Sequence, residues 1–194
     1  MNHSQTAYVI LGILAIHPSQ SGYEIRKTVQ QSVGFFWGES YGQIYPTLKR
    51  LAAEGLIAPG KSAPSTRPTK QEYFITPAGK LCLQEWLALP CRDHPPRDEF
   101  LLKLFFGWET APSVSIAHLR EFQQKNRRLL DTLLELEALG RAHSSHYPGF
   151  PFWMLTLDYG LAQIRSALKW SESALELLCA AESNQAPTSQ PKQS

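Results

Sequence analysis

Residues 40–57 read SYGQIYPTLKRLAAEGLI, and the front of this stretch decides the fold. Ile44, Leu48 and Leu51 recur at helical spacing, and Gly55 supplies a stop before Leu56-Ile57. The opening is a poor helix: Tyr41, Gly42, Tyr45 and Pro46 stand where strong helix formers are expected. A proline tolerates the first turn, but deeper it breaks a backbone bond at a cost of about 3 kcal/mol. Either the helix proper begins near Pro46, or its opening turns are irregular. Ser40 stands three residues before Gln43, the spacing of a capping box.

The flanking sequence gives these misfits a context. Residues 5–16 read as a helix apolar almost all round, ended by His17-Pro18. Ser19 or Ser21 can cap a second helix, SGYEIRKTVQQ, with Tyr23, Ile25 and Val29 as its apolar positions. The rings Phe35, Phe36 and Trp37 read as plugs of the core. Past the quoted stretch, Leu56-Ile57-Ala58 reads as a short strand and Gln71–Ile75 as a second. Between them lies GKSAPSTRPTK (60–70), a polar and basic loop. Thr76 caps a further helix with Pro77 at the favoured first position. Three helices, a strand, a basic loop, a strand and a helix make the order of a winged helix-turn-helix.

In a helix-turn-helix the second motif helix enters the major groove, and its first residues touch base edges. Gly42 lets the backbone approach closely, and Gln43 matches the two hydrogen-bonding groups of an adenine edge. Tyr41 and Tyr45 offer hydroxyls to phosphate or rings to thymine methyls. Lys49, with Arg50 beside it, extends to the phosphate backbone, which fixes register without reading sequence. Lys61, Arg67 and Lys70 put charge on the wing. The competing reading makes Tyr45 a core ring, Gly42 a simple turn and Arg50 a partner of Glu54 at i+4.

The composition fits this reading. The chain has 194 residues, 43% hydrophobic and 19% charged, with a net charge of +2. Residues 40–80 nevertheless carry six Lys/Arg against two Asp/Glu, a local excess that suits a polyanion. No apolar run reaches the roughly 18 residues of a membrane span. The most apolar segment, AYVILGILAI (7–16), lacks the flanks of a signal peptide. Cys82, Cys91 and Cys179 are far apart and odd in number, which argues against a disulfide framework or a zinc site. The cytoplasm is the simplest compartment. Six scattered histidines come with no carboxylate or cysteine cluster, and no nucleophile, metalloprotease or phosphate-loop motif is present. Neither an enzyme nor a cofactor or metal is expected.

Residues 90–97, PCRDHPPR, read as a linker between a DNA-binding domain over 1–89 and a helical domain over 98–182. Asp98 opens an apolar helix, DEFLLKLFFGW, and two longer helices follow. In the first, Leu119, Asn126 and Leu133 take one heptad position, and Phe122, Leu129 and Leu136 the other. In the second, Leu157, Leu161, Ile164, Leu168, Ser171, Leu175 and Leu178 alternate in steps of four and three. These residues are the candidate dimer interface, with packing inside one subunit as the alternative. Asn126 either fixes register at that seam or faces solvent. Phe105, Phe106, Trp108, Phe152 and Trp153 are candidates to line an apolar effector pocket, or else are core. Residues 183–194 read as a disordered tail.

YVILGILAIHPSQSGYEI, FFWGESYGQIYPTLKRLAAEGLI and EYFITPAGKLCLQEWL together resemble the PadR-like family of bacterial transcriptional regulators over about residues 5–88. RDEFLLKLFF (97–106) resembles the long C-terminal helical domain of its AphA-like subgroup. The resemblance implies a mainly α fold with a small β-hairpin: an N-terminal winged helix-turn-helix and a C-terminal helical dimerisation domain. It implies a homodimer that represses, or less often activates, at a palindromic double-stranded operator, and in some members a small aromatic or phenolic effector that releases DNA. It places DNA contacts at Ser40, Tyr41, Gln43, Tyr45 and Lys49, with wing bases at Lys61, Arg67 and Lys70. The wing departs from the family's usual arginine-dense version, holding Pro64 and Pro68. A winged helix used only for protein contact is the alternative.

Overall fold

The computed structural model describes residues 3–37, 41–60, 71–91 and 97–185, and it divides into two compact units that part after Asp93. Among the described residues, unit 1 runs α1 (Gln5–Ile16), β1 (Gln20–Ser21), α2 (Gly22–Gln31), a 3-10 turn (Tyr41–Gln43), α3 (Ile44–Ala53), β2 (Ile57–Pro59), β3 (Glu72–Ile75) and α4 (Pro77–Leu87).

The apolar circumference of α1 has its explanation in its neighbours, for it packs against α2, α3, α4 and β3 at once. Ile10, Leu11 and Leu14 of α1 meet Ile25 and Val29 of α2, Ile44, Leu48 and Leu51 of α3, and Ile57 of β2 in one buried core. Tyr23 is not a core position: it is 57% exposed. Of the aromatic run after α2, Phe36 is exposed, while Phe35 and Trp37 are half-buried.

Ser21, not Ser19, caps α2. Its hydroxyl accepts from the Glu24 backbone N–H and the Glu24 carboxylate accepts from the Ser21 backbone N–H, a complete capping box. Ser19 is freed for the sheet, where its hydroxyl donates to the Glu72 carboxylate at 2.6 Å. The expected hairpin is present, with Ile57 opposite Ile75 and Pro59 opposite Tyr73. It gains a third antiparallel strand, since Gln20 and Ser21 pair with Tyr73 and Glu72.

Gly55 ends α3 at φ +70°, a conformation glycine adopts without steric cost. The Leu56 N–H bonds back to Leu51 O at 2.9 Å and the Gly55 N–H to Ala52 O at 3.1 Å, the paired bonds of a Schellman stop. Thr76 then locks this corner to α4. Its hydroxyl donates to Gly55 O at 2.8 Å and accepts from the Gly79 N–H at 3.1 Å. A Cβ on Gly79 would lie 2.0 Å from Leu56 O, so only glycine fits there.

Unit 2 holds α5 (Glu99–Phe105), a 3-10 turn (Gly107–Glu109), α6 (Pro112–His143) and α7 (Phe150–Gln185). The Asp98 carboxylate caps α5 by accepting from the Leu101 N–H at 3.0 Å. α6 and α7 pair along their length. Phe122 meets Trp170 at 5.9 Å near one end, and Gly140 lies beside the Phe150 ring at the other, so the two helices run antiparallel. Residues 183–185, expected to begin a disordered tail, are helical, because α7 continues to Gln185; residues 186–194 lie outside the described part.

The heptad residues fasten this hairpin. Leu119, Leu157, Leu161 and Ile164 are at most 6% exposed in the single chain, with Leu133 and Ser171 also buried. Six of the residues assigned to the heptad seam are therefore buried inside one subunit. Phe122, Asn126, Leu129, Leu168 and Leu175 are half-buried. Asn126 is half-buried and its amide donates to Phe122 O one turn back at 2.8 Å. Ser171 is satisfied the same way, donating to Leu168 O at 2.7 Å.

Candidate nucleic-acid interface

α2 and α3 pack against each other as the two helices of a helix-turn-helix. The irregular opening anticipated from sequence takes the form of a 3-10 turn at Tyr41–Gln43, after which α3 begins at Ile44. Pro46 therefore falls in the first turn of α3, where its missing N–H has no intrahelical partner to lose.

α3 has two sharply different faces. Ile44, Thr47, Leu48 and Leu51 are buried. Gly42, Gln43, Tyr45, Pro46 and Lys49 are exposed. Gln43 sits at the N-cap position, yet its side chain makes no cap bond, so its amide is not engaged by the helix end. Among the described residues Lys49 makes no ion pair.

Tyr45 is not a core ring, being 54% exposed. Its hidden side lies over the start of α2, where a Cβ on Gly22 would come within 2.7 Å of the ring. Gly22 is a participant that sequence reading missed. The signal was present in Ser21-Gly22-Tyr23-Glu24, a capped helix start with a glycine inside it, where glycine weakens the helix.

Arg50 does not pair with Glu54. Its guanidinium donates to the Ser4 hydroxyl at 3.0 Å, while Glu54 faces His3 at 3.5 Å. Ser40, Lys61, Arg67 and Lys70 lie outside the described residues, and Tyr41 is described only in its backbone.

The candidate effector residues fare differently. Phe105, Phe106, Trp108 and Phe152 are 53–79% exposed, so they are not core. Trp153 is half-buried beside Tyr147, with ring centroids 5.9 Å apart. A groove of about 330 Å³ does lie between α5 and α6, but Phe100, Phe122, Lys103, Lys125, Glu99 and His118 are among its walls and none of those five is. The Lys103 ammonium bonds Glu99 at 2.8 Å and holds that carboxyl below the usual carboxylate range.

Known proteins match the chain in two blocks. The model of the transcriptional regulator PadR-like family matches residues 10–85, and that of the virulence activator alpha C-terminal region matches residues 96–179. The negative transcriptional regulator PadR of Bacillus subtilis is 31% identical over 180 residues, covering 88% of this chain and 96% of that protein. The chain belongs to the PadR-like family of transcriptional regulators.

Structures of PadR-like relatives extend over both blocks. Bacillus subtilis PadR in complex with operator DNA is similar at a TM-score of 0.74 and 29% identity, covering 89% of this chain and 98% of that one. The same relative in complex with p-coumaric acid gives 0.67 and 28%, with coverage of 89% and 97%. The Vibrio cholerae virulence activator AphA gives 0.70 and 28%, with coverage of 91% and 99%. Across the described residues, no helix is long and apolar enough to cross a membrane.

Proposed function

We propose that this PadR-like chain acts in the cytoplasm as a homodimeric repressor, binding a palindromic operator through α3 and released by a small aromatic effector. One observation carries the reading: poor helix formers, Gly42 and Tyr45, stand exposed with Gln43, Pro46 and Lys49, while the aliphatic face of the same helix is buried. A helix built only for packing gains nothing from such residues on its open side. Placed in a major groove, they become an approachable backbone, a base-reading amide and a phosphate anchor.

Two copies fit the energetics, because one such helix covers little DNA and a second about 34 Å away turns weak binding into specific binding. With Leu119, Leu157, Leu161 and Ile164 buried inside the subunit, the surface open to a second copy consists of the half-buried Phe122, Asn126, Leu129, Leu168 and Leu175 together with two exposed stripes. Leu101, Leu102 and Phe105 form an exposed stripe on α5, and Phe152, Leu155 and Tyr159 form one on α7. The relative's printed name, a negative regulator, and its complex with operator DNA support repression at an operator. Its complex with p-coumaric acid supports an aromatic acid as effector. Phe105, Phe106, Trp108, Phe152 and Trp153 are kept as candidate contacts for it.

Fluorescence anisotropy on the promoter of the protein's own gene tests the reading. Binding is expected to weaken steeply with salt. Lys49→Ala should weaken all sequences alike, and Gln43→Ala should relax preference at one or two bases by about 1–3 kcal/mol each. Binding indifferent to salt sinks the DNA assignment. Tryptophan fluorescence titrated with p-coumarate tests the effector, and a flat trace removes it.

A further inference from the structure

We propose that His3 and Ser4 form a clasp on the rear of α3, and that Arg50 is a positioning residue which sets the pitch of that helix, not a contact to phosphate. The proposal rests on the DNA-binding reading above and adds to it the element that aims the helix.

Arg50 and Glu54 lie one turn apart at the end of α3 and so share a face. Both are engaged by the residues that lead into α1: Arg50 Nη2 donates to Ser4 Oγ at 3.0 Å, and Glu54 Oε2 lies 3.5 Å from His3 Nδ1. Ser4 stands at the N-cap of α1, where a serine ordinarily accepts from its own helix, yet it makes no such bond. Its hydroxyl serves Arg50 instead.

The clasp is anchored to the core. The His3 side chain is 9% exposed, and its ring stands edge-on to Tyr8 with centroids 5.9 Å apart. Tyr8 in turn stacks on Trp86 of α4 at 4.5 Å and 8°. α1 and α4 thereby hold α3 at the end opposite Gly42, Gln43 and Tyr45. The leverage matters. A ten-residue helix is about 15 Å long, so a tilt of about 5° about its rear moves its front by about 1.3 Å. A displacement of about that size is enough to spoil a recognition geometry.

Charge alone assigns Arg50 to phosphate, as it does its neighbour Lys49, and salt dependence separates the two roles. A phosphate contact contributes about 0.9 to the slope of log affinity on log salt, while a positioning residue contributes nothing. Anisotropy on the promoter fragment and on a scrambled duplex, between about 50 and 200 mM salt, is to be measured for wild type, Ser4→Ala, Ser4→Thr, Arg50→Ala and the Ser4→Ala/Arg50→Ala double variant. Thermal melts by circular dichroism check that each is folded.

Ser4→Ala and Arg50→Ala should each weaken promoter binding about fivefold, the equivalent of one net hydrogen bond. The double variant should be no weaker than either single, the salt slope should stay at the wild-type value, discrimination against the scrambled duplex should narrow, and Ser4→Thr should retain affinity. A slope lower by about 0.9 in Arg50→Ala, an unaffected Ser4→Ala, or losses that add in the double variant each overturn the clasp while leaving the DNA-binding reading intact. Wild-type protein that fails to bind the promoter fragment overturns both.

Discussion

The two units bury their apolar residues in different ways. In unit 1, Ile10, Leu11, Ile25 and Leu51 are fully hidden in a core supplied by α1, α2, α3 and β2. Among the described residues of unit 2, only the α6–α7 seam reaches that state, at Leu119 and Leu133. Around it, Leu102, Phe105, Phe106, Trp108, Phe152 and Leu155 are each more than half exposed. Those on α5 and its following turn fall within eight residues, and those on α7 lie on one helical face, so they are not the scattered singles that any surface carries. Unit 1 builds a closed core from its own chain, with Leu81, Leu87 and Leu89 on and after α4 left more than half exposed. Unit 2 completes a spine and leaves longer apolar stripes exposed.

Truncation in the closed core gives the largest expected contrast. Leu51→Ala removes a fully buried side chain where α3 meets α1 and should cost about 2–5 kcal/mol in denaturant unfolding. A loss below about 1 kcal/mol would mean that the core of unit 1 collapses around the gap, and the contrast with unit 2 would weaken. Gly79→Ala should follow. Its new methyl would meet a backbone oxygen at 2.0 Å, and a backbone oxygen cannot swing aside as a side chain can. Overpacking of this kind costs about 1–3 kcal/mol, and here it should loosen the corner that joins α3, β2 and α4.

How far the sequence was legible follows the same division. Local chemistry was readable at several helix ends: Thr76 as a cap, Asp98 as the opening of its helix, Gly55 as the stop of α3, Pro77 at a first position. Ile44, Leu48 and Leu51 were readable as a buried face because their spacing is helical. What escaped is set by tertiary approach. Strand β1 is two residues long and exists only because β3 lies alongside it. Gly22 matters because the Tyr45 ring comes to rest on it, and Arg50 turns to Ser4, 46 positions away, because two chain segments converge. The heptads in α6 and α7 were correctly periodic, but periodicity records that a stripe is buried and not whether its partner is the next helix or another molecule. A six-residue connection between the two helices lets the chain bury part of the stripe internally, at Leu119, Leu133, Leu157, Leu161 and Ile164.

The open stripes of unit 2 predict the opposite response to substitution. Phe105→Ser removes a ring that is 75% exposed, so the unfolding free energy of one chain should move by less than about 0.5 kcal/mol. Its consequence should appear in sedimentation, as a shift toward monomer at a given concentration. Unchanged assembly together with a large loss of stability would reverse the assignment and make the α5 stripe part of a core. The smallest effect belongs to the Glu99–Lys103 pair on the same helix. The Lys103 ammonium lowers the Glu99 carboxyl below its usual value, so the pair's contribution is present above the ordinary glutamate range, near pH ~4.3, and fades as pH falls through the lowered value. Both side chains are exposed to solvent, which screens the attraction. Glu99→Gln should therefore leave thermal stability at pH 7 almost where it was, and the difference from wild type should vanish once the pH has fallen below the lowered value of the Glu99 carboxyl. A clear loss at neutral pH would mean that this part of α5 is covered in the assembled protein, where the same pair would be shielded from water.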